Sequence, residues 1–579
     1  MTRLTLPLLL SLAILASACS SPNTRPADAD LVISVVSTND VHGELLPATG
    51  RGGLATISGY VDALRRANQT SDDSVLLIDA GDMWQGTLES NLSEGRIMVE
   101  AYNAMGYAAA AIGNHEFDFG PPGLAATPRD PGDDARGALK LRTAEADFPF
   151  LAANLIDASS GQLVDWPNVR PSVLLEVQGV KVGLIGVTTR SALQTTIAAN
   201  VQGLTVTPLA DAITREARKL RAEGATLVIV TAHAGSYCSE FDDPDDTSSC
   251  NMEGEIMQVA QQLETGLVDQ IIGGHVHQKI AHNVNGIAVT SAHSHTRAFG
   301  RVDFTLARDS GKVLQRKIFP PQIPCPYLNE ADGTCAWSDS AAVTRASYEG
   351  EPVVANAAVV AAAETAAALV VMEKERKLGV YLETPFTLEG NPESALGNLF
   401  TDALLEEVDG DIVIHNVSGG IRRGLPEGEL TFGSVYLMSP FDNEVVVLDI
   451  AGQDLRKIVA AQAHNHRRRA GIAGMRVVVK CDGDAMQVDM TLADGRSIAD
   501  QDRVRVIAND FLALGGDDVL TPAMPEEGFT WPEPVQSTRG VIVDWFEQQQ
   551  GHLNSRDFLS DEPRWMIPDG LAETCQYQP

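Results

Sequence analysis

The feature that most constrains the fold is a repeated order, in which a short apolar run ends in Gly, Asn or Asp and a longer helix-compatible stretch follows. This alternation is typical of α/β layers, in which buried strands alternate with covering helices. The predicted fold class is therefore α/β. Six strands are predicted in the first half of the chain: LVISVV (31–36), SVLLID (74–79), AAAAIG (108–113), VGLIGV (182–187), LVIVTA (227–232) and QIIGG (270–274).

The length of 579 residues allows two to four domains at ~150 residues per domain. An Ala-rich segment at 353–380 is predicted to be a helix, because Ala is the best helix former. A membrane span is the alternative, but the segment contains Asn and Glu, and Ala supplies little apolar surface. We predict an N-terminal domain at 31–350, a linker helix at 351–380 and a C-terminal domain at 381–579.

The N-terminus has the pattern of a secretory signal. An apolar stretch (4–15) follows Arg3, is too short to span a bilayer, and leads through small residues to Cys19. This order resembles the lipobox of bacterial lipoproteins, in which the Cys becomes a lipidated N-terminus. We predict a lipoprotein signal peptide at 1–18, a polar tether at 19–30 and a lipid anchor in the cell envelope, periplasmic or at the cell surface. A plain cleaved signal peptide, with Cys19 incidental, is the alternative.

Six cysteines remain after Cys19, an even number in a chain predicted to be exported, so three disulfides are expected. Sequence proximity predicts two pairs and leaves a third: Cys238 with Cys250, Cys325 with Cys335, and Cys481 with Cys575. No CxxC occurs in the sequence, which leaves a thiolate zinc site or a thioredoxin-like motif with little support.

The balance of charge disfavours some partners. The chain has 77 acidic and 43 basic residues, a net charge of −34, and its long-range field repels nucleic-acid backbones and anionic lipid surfaces. A nucleic-acid partner is therefore not expected. If the substrate is itself an anion, a local positive centre must overcome this field, and bound metal ions are the simplest means.

Polar clusters rich in His, Asp and Asn follow five of the predicted strands. They are TNDVHG with Asp40 and His42, IDAGDMWQG with Asp82, IGNHEFDFG with Asn114, His115, Glu116 and Asp118, TAHAG with His233, and GGHVHQ with His275 and His277. Because strand ends in open α/β sheets lead into a common crevice, these groups can converge although they are distant in sequence. HEFDF is not the zincin motif, since Phe119 replaces its second His.

Convergence of two Asp, four His and one Asn would supply enough ligands for two divalent ions, with one carboxylate bridging them. These residue types accommodate Zn, Mn, Co or Fe, so the metal is not identified. Singly, each residue has an ordinary explanation, because a lone His is most often solvated and an Asp at a strand end is commonly a turn or cap residue. Five clusters together, two with i, i+2 spacing, favour the metal centre.

In their order along the chain, DVHG, GD, GNHEFD, a His after an apolar strand and GGHVH resemble the bacterial 5′-nucleotidase, UDP-sugar hydrolase and 2′,3′-cyclic phosphodiesterase family of calcineurin-like metallophosphoesterases. The resemblance implies a four-layer α/β/β/α N-terminal domain, a linker helix and an α/β domain for substrate specificity. It also implies these roles: Asp40, His42, Asp82 and His277 would hold one ion, Asp82, Asn114, His233 and His275 the second, and His115 with Asp118 would form a catalytic dyad.

The residue types fit phosphoryl transfer to water. Two cations lower the pKa of a bound water towards ~7, so that no nucleophilic side chain is needed. His115, if protonated and oriented by Asp118, would donate a charge-assisted hydrogen bond that strengthens as charge develops on the phosphoryl group. The alternative for Asp118 is a cap of the following turn.

Further matches to the family lie in the C-terminal half. ESALGNLFTDAL (393–404) resembles the helix that opens the second domain, SPFDNEVV contains Phe441 and Asn443, and NDFLALGGDD contains Phe511 and Asp517. The resemblance implies that the two rings sandwich a nucleobase and that Asp517 binds ribose hydroxyls; such stacking is worth ~1–3 kcal/mol per base. The alternative for each Phe is an ordinary core residue.

The phosphate-binding segment departs from the family pattern. HNVSGGIRRG keeps Arg422, but Val417 stands where Asn or Ser is expected, and Pro392 takes the place of an arginine. Because a guanidinium is a natural bidentate phosphate ligand, these departures bear on the preference for 5′-monophosphates. Arg423 could compensate, although its adjacent position would normally point elsewhere.

The predicted function is that of an exported, lipid-anchored dimetal phosphohydrolase acting on extracellular nucleotides, of 5′-nucleotidase type. Within the same class, a 2′,3′-cyclic nucleotide phosphodiesterase or a nucleotide-sugar hydrolase is the alternative. A thiosulfohydrolase is more distant, because the aromatic clamp argues against it. A non-catalytic surface lipoprotein is disfavoured by the complete set of ligands.

Overall fold

The computed structural model describes residues 30–577, apart from 69–73, 124–125, 129, 131, 309, 390–392, 466–468, 526–527, 534, 560–561, 569–570 and 572–574. The predicted signal peptide, Cys19, all but the last residue of the predicted tether, and Pro392 lie outside the described residues. Within the described part of the chain, no helix is both long enough and apolar enough to cross a membrane.

Two mixed sheets form the N-terminal half. The first has seven strands in the order Val313–Ile318, Gly300–Leu306, Leu31–Thr38, Val75–Asp79, Tyr107–Ala111, Phe150–Leu151 and Val169–Arg170. The second has six in the order Lys279–Val284, Ile287–Ala292, Gln270–Gly273, Leu227–His233, Val180–Thr188 and Ser172–Val177. All six strands predicted from the sequence are confirmed, and they form the parallel centres of the two sheets.

Apolar side chains fill the space between the sheets and cover their outer faces, which gives four layers. Between the sheets, Ile33 and Val35 pack in one cluster with Leu184 and Ile229. Helices cover the outer faces, because each sheet has a second apolar face to bury. These are Gly53–Ala67, Arg96–Met105 and Gly137–Glu145 on the first sheet, and Leu209–Ala222 and Glu255–Gln262 on the second. The α/β/β/α arrangement is confirmed.

Short elements complete this half of the chain. They are the helices Leu88–Asn91 and Ala198–Val201 and the strands Leu155–Asp157, Gln162–Leu163, Leu204–Val206, Tyr327–Asn329, Cys335–Ala336, Val343–Arg345, Ser347–Tyr348 and Glu351–Pro352.

The Ala-rich segment forms the helix Ala357–Lys374, as predicted. Its N-cap is Asn356, whose side chain accepts a hydrogen bond from the backbone N–H of Ala358. Val359 and Val370 are buried, and the helix packs against Arg96–Met105 and Leu88–Asn91. The helix is shorter than the predicted 351–380 linker, because its last residues belong to strand Lys377–Leu382.

The C-terminal half is a second α/β unit. Its central sheet has the order Val445–Ala451, Arg503–Asn509, Ile412–His415 and Gly471–Ala473. One flanking sheet has three strands, in the order Gly428–Thr431, Lys377–Leu382 and Gly551–Leu553. The other has four, in the order Trp565–Met566, Met475–Asp482, Ala485–Leu492 and Gln576–Tyr577. Alternate residues of the central strands enter two apolar clusters, one on each face. The helices are Ala395–Glu407, Val417–Gly420, Phe432–Met438, Gly452–Ala463, Asp510–Ala513 and Thr538–Gln549.

The three predicted disulfides are all present. They join Cys238 to Cys250, Cys325 to Cys335, and Cys481 to Cys575. The third closes the longest loop, with a sequence separation of 94, and ties the C-terminal strand Gln576–Tyr577 to the sheet that contains Met475–Asp482.

Candidate active site

The predicted metal ligands lie at or just after the carboxyl ends of parallel strands, and the fold brings them together. His233 is itself the last residue of strand Leu227–His233. The loops after Leu31–Thr38 and Val75–Asp79 are joined by backbone hydrogen bonds, from Asp40 N to Gly81 O (2.9 Å) and from His42 N to Asp82 O (3.0 Å). The predicted ligands Asp40, His42, Asp82, Asn114 and His233 are buried, whereas His275 and His277 are partly exposed.

Five of the seven predicted ligands have a left-handed backbone: Asp40, His42, Asp82, His275 and His277, with φ values from 49° to 71°. For a residue with a Cβ this conformation costs of order 1 kcal/mol or more and persists only where the surroundings impose it. The backbone is therefore held so that these side chains point inward, a feature typical of functional sites.

The side chains form two groups that share one carboxylate. Ligand atoms of Asp40, His42, Asp82 and His277 lie within 4.8 Å of one another, and so do those of Asp82, His233 and His275. Asn114 completes the second group, since its Oδ1 lies 2.9 Å from His233 Nε2 and 3.0 Å from His275 Nδ1. Asp82 belongs to both groups, the position required of a bridging ligand.

Hydrogen bonds outside the cluster orient the imidazole rings. His42 Nδ1 donates to the carbonyl of Gln85 (2.8 Å), and His233 Nδ1 donates to the carbonyl of Ala80 (2.8 Å). A carbonyl partner fixes a proton on Nδ1, so that Nε2 faces the cluster and can present a lone pair to an ion. This is the tautomer that a metal ligand needs, so the donor set fits two divalent ions.

Burial and mutual charge shift the pKa values within the cluster. Burial raises the pKa of Asp40 to about 7, and it lowers the pKa of His42 well below its ordinary value. Burial alone would lower the pKa of His233, but the charge and hydrogen bond of Asp82, 3.3 Å away, together with the charges of Asp40 and Glu116, outweigh it and raise the pKa to about 10. Without ions, protons therefore neutralise part of the buried negative charge.

His115 and Asp118 form a pair next to the cluster. His115 Nδ1 donates to Asp118 Oδ2 at 2.6 Å, and the hydroxyl of Thr196 donates to Asp118 Oδ1 at 2.8 Å. Burial alone would lower the pKa of His115, but the charges of Asp118 and Asp82 raise it above its ordinary value. Both carboxylate oxygens of Asp118 are engaged in these bonds.

A cavity of about 250 Å³ lies between the two halves of the chain and connects the cluster with the C-terminal unit. The predicted site residues that line it are Asp82, Asn114, His115, Asp118, His275, His277, Arg422, Phe441, Asn443, Phe511 and Asp517. Arg422 Nη2 donates to His115 Nε2 at 2.8 Å, so the dyad faces an arginine of the other domain. Asp40, His42 and His233 lie outside the lining.

The two predicted aromatic residues are partly exposed at this cavity. The Phe441 ring lies below the Arg422 guanidinium, whose carbon is 5.1 Å from the ring centroid. The Phe511 ring packs on the C-terminal core from outside and touches Gly516, where a Cβ would come within 2.5 Å of the ring. Neither ring is buried in a core, the alternative considered for them.

Polar partners hold the remaining two predicted residues. Asn443 is buried and donates to Asp510 (3.1 Å), a carboxyl whose pKa burial raises to about 6, and this bond braces the loop that carries Phe441. Asp517 accepts from Asn416 at 2.9 Å, has a left-handed backbone (φ 52°) and lines the cavity.

The residues around Arg422, in the predicted phosphate-binding segment, have different surroundings, and Arg423 lies outside the cavity lining, as its adjacent position indicated. Val417 is fully buried and packs in the C-terminal core, whereas its neighbours Asn416 and Ser418 line the cavity and present polar side chains there. Arg423 forms an ion pair with Glu44 of the N-terminal domain and does not belong to the cavity lining.

Family models match both halves of the chain. Residues 33–279 match calcineurin-like phosphoesterases, and residues 377–524 match the 5′-nucleotidase C-terminal domain. The chain belongs to the 5′-nucleotidase family of calcineurin-like metallophosphoesterases. Members of this 5′-nucleotidase family are hydrolases, so the chain is placed in that enzyme class.

Several known proteins are similar to this chain over most of its length. The 5′-nucleotidase from Vibrio parahaemolyticus is 26% identical over 94% of the chain and 95% of its own length. Endonuclease YhcR from Bacillus subtilis is 26% identical over 89% of the chain, which spans 40% of that relative's length. The crystal structure of a 5′-nucleotidase precursor from Thermus thermophilus has a TM-score of 0.69 at 22% identity and covers 93% of this chain and 100% of its own; this likeness shows the fold.

Three further residues lie at the site but were not predicted from the sequence to belong to it. The Glu116 carboxylate accepts from the backbone N–H groups of Asp82 (2.9 Å) and Met83 (2.8 Å) and thereby holds the loop of the shared carboxylate. Gln85 supplies the carbonyl that orients His42. His295 stacks on His42. The sequence did contain a pattern that could have identified it, because His293 and His295 repeat the i, i+2 spacing after a strand.

Proposed function

We propose that the chain is an exported dimetal phosphohydrolase that removes phosphate from nucleoside 5′-monophosphates. The observation that carries the proposal is the shared cavity, which is lined by predicted metal ligands of one domain and by Phe441, Phe511 and Asp517 of the other. A nucleotide whose base stacks on these rings would present its phosphate to the cluster. Relatives named 5′-nucleotidase, similar over most of the chain, support the substrate class.

The residues divide the chemistry between metal binding and charge stabilisation. Asp40, His42, Asp82 and His277 would hold one ion and Asp82, Asn114, His233 and His275 the other, as their two groups fit. Two divalent ions, when bound, supply Lewis acidity that lowers the pKa of a water and neutralises the phosphoryl oxygens.

The dyad and Arg422, which lie beside the cluster, would also contact the phosphoryl group. Asp118 holds the Nδ1 proton of His115, so that Nε2 is the atom directed at the cavity. In this arrangement Nε2 accepts from Arg422, and a phosphoryl oxygen between the two would accept from the guanidinium and from a protonated Nε2. These charge-assisted bonds strengthen as negative charge develops.

A substrate panel with matched variants tests the proposal. The panel contains AMP, 2′,3′-cyclic AMP, a UDP-sugar and bis-p-nitrophenyl phosphate, each with added divalent ions. We expect AMP to be the best substrate and Phe511→Ala to lower its kcat/KM by ~1–3 kcal/mol, with little effect on bis-p-nitrophenyl phosphate. Phe529→Ala is the control, because Phe529 packs on the same core but does not line the cavity.

Other outcomes of this panel have definite meanings. A preference for the cyclic nucleotide or the UDP-sugar would replace 5′-nucleotidase activity by the corresponding alternative. Equal loss on all substrates for Phe511→Ala would make that residue structural and remove the nucleotide clamp. If no substrate were hydrolysed with any divalent ion, the enzymatic proposal would be wrong, and a non-catalytic binding lipoprotein would be the remaining alternative.

Export and anchoring are tested separately. Cys19→Ser is expected to prevent lipidation and to release the mature protein from the membrane fraction, since Cys19 is the anchor proposed. Membrane association that survives carbonate washing in this variant would contradict the lipid anchor.

A further inference from the structure

One histidine outside the predicted ligand set lies at the metal cluster. His295 follows strand Ile287–Ala292, which runs parallel to Gln270–Gly273, so both strands end at the same edge of the sheet. The backbone N–H of His295 donates to the carbonyl of Asp40 at 2.7 Å. The loop that carries His295 is therefore fixed directly to a loop of the cluster.

The ring of His295 packs against two predicted ligands. It stacks on His42 with ring centroids 4.8 Å apart, and it meets His277 edge-on at 5.6 Å. Ligand atoms of the three histidines lie within 4.8 Å of one another, and the His295 side chain is only 15% exposed. This geometry is compact enough for the three nitrogens to share an ion.

A carboxylate lies close to one nitrogen of the His295 ring. His295 Nδ1 is buried, makes no hydrogen bond and lies 3.5 Å from Glu44 Oε1, and that carboxylate also pairs with Arg51 at 3.1 Å. A carboxylate facing one ring nitrogen, with the other directed at the metal, is the usual outer arrangement around histidine ligands. Nε2 is thus the atom available to an ion.

The backbone of His295 resembles that of the predicted ligands. Its φ is 52°, against 52° for His42 and 56° for His277, in the region that residues with a Cβ rarely adopt. Such strain persists where the surroundings impose it and marks functional positions.

We propose that His295 is a further ligand of the ion held by Asp40, His42, Asp82 and His277. This inference rests on the proposed dimetal function, and it reduces the number of metals that suit this ion's site. His295 forms a group with His42 and His277, and these two histidines form a separate group with Asp40 and Asp82, so His295 is linked to the ion through the two shared rings. With His295 bound, the ion would have three imidazole nitrogens and two carboxylates. Nitrogen donors favour Zn²⁺, Co²⁺ or Fe²⁺ over Mg²⁺ and Mn²⁺, which prefer oxygen. This site is therefore selective for a borderline transition metal.

Metal binding to the full mature chain tests the assignment. His295→Ala removes the ring, and His295→Phe keeps a stacking ring without a nitrogen. The controls are His293→Ala and His293→Phe, in the same loop and with the same kind of backbone (φ 71°), outside the three-histidine group. Metal-free protein is titrated with Zn²⁺ against a chelator, and the visible absorption of Co²⁺ is recorded in parallel.

Both His295 variants are expected to bind one of two ions at least roughly 10-fold more weakly and to change its Co²⁺ spectrum, whereas the His293 variants behave like the wild type. Wild-type affinity and spectrum in His295→Phe would overturn the proposal and leave His295 as a stacking support for His42. The melting temperature of each metal-free variant shows whether it folds. A variant that does not fold is replaced by His295→Gln, because an amide oxygen in place of the imidazole nitrogen still changes the Co²⁺ spectrum.

Failure of this inference can be distinguished from failure of the proposed function. A wild-type chain that binds fewer than two ions, or an Asp82→Asn variant that still binds two, would contradict the dimetal centre itself. Two ions in the wild type, loss of metal in Asp82→Asn, and no effect of either His295 variant would contradict only the role of His295.

Discussion

At the level of single residues, His115 is the side chain whose role can be separated from metal binding. Its nitrogens are engaged by Asp118 and Arg422, and it belongs to neither ligand group. His115→Ala is expected to leave metal content unchanged and to cost roughly 2.7–4 kcal/mol in kcat/KM, as for one lost donor to a developing charge. Elemental analysis beside steady-state kinetics checks this, and joint loss of metal and activity would instead make His115 a ligand.

A second residue-scale prediction concerns pH and metal affinity. In the metal-free chain the pKa of His233 is raised to about 10 and that of Asp40 to about 7, so ions must displace these protons. Apparent affinity should fall by about tenfold per pH unit around pH 8, through His233, and more steeply below about pH 7, where Asp40 is also protonated. Chelator competition from pH 8 to pH 5 measures this; affinity that rises on acidification would contradict the assigned protons.

Residues of the site could be predicted where their cluster has a recognisable spacing in the sequence. Asp40 with His42 and His275 with His277 stand two apart after a strand. This spacing predicted a convergent set, and the structure places the ligand atoms of these residues in two close groups. His295 has the same spacing with His293 but follows a strand that was not predicted. Glu116 and Gln85 act through hydrogen bonds to backbone groups, which no sequence pattern records.

At the level of elements, predictability follows burial. The six predicted strands are buried on both faces and therefore read as continuous apolar runs, which the sequence shows directly. Strands Lys377–Leu382 and Ala485–Leu492 alternate exposed and buried residues, a weaker signal in short segments, and they were not predicted. The fold of the C-terminal half rested on the family resemblance alone.

A glycine in the segment after Asp510–Ala513 offers a test of the aromatic clamp without removing a ring. A Cβ on Gly516 would lie 2.5 Å from Phe511 Cζ, so Gly516→Ala must displace the ring. We expect kcat/KM for AMP to fall by up to ~1–3 kcal/mol with bis-p-nitrophenyl phosphate unaffected. Gly132→Ala is the control, since its Cβ meets nothing within 4 Å. Unchanged AMP hydrolysis in Gly516→Ala would show that the position of the Phe511 ring is not critical.

At the level of the whole molecule, the two halves meet through polar contacts around the cavity and through one small apolar cluster of Leu88, Val370 and Tyr436. Gln85 Nε2 and Asn91 Nδ2 both donate to the carbonyl of Pro440 at 3.2 Å, and the interdomain ion pair of Arg423 with Glu44 lies nearby. Polar contacts of this kind resemble those between domains that move relative to each other. A nucleotide bound as proposed would contact residues of both halves, so its hydrolysis is expected to depend on how the two halves are held together.

The Arg423–Glu44 pair provides the test of that closure. Glu44 keeps Arg51 as a partner when Arg423 is removed, so Arg423→Ala does not strand a buried charge. The expected loss is about 1 kcal/mol or less, as for a partly exposed ion pair, and appears as up to about a fivefold lower kcat/KM for AMP. Hydrolysis of bis-p-nitrophenyl phosphate should not change, because the metal cluster belongs to one domain.

The control for Arg423→Ala is Arg503→Ala, which breaks the exposed ion pair with Asp449 inside the C-terminal half. Small-angle scattering without substrate is expected to show a larger radius of gyration for Arg423→Ala and no change for Arg503→Ala. If the nucleotide and the generic substrate were affected equally, the pair would act on the cluster through Glu44 rather than on the closure of the domains.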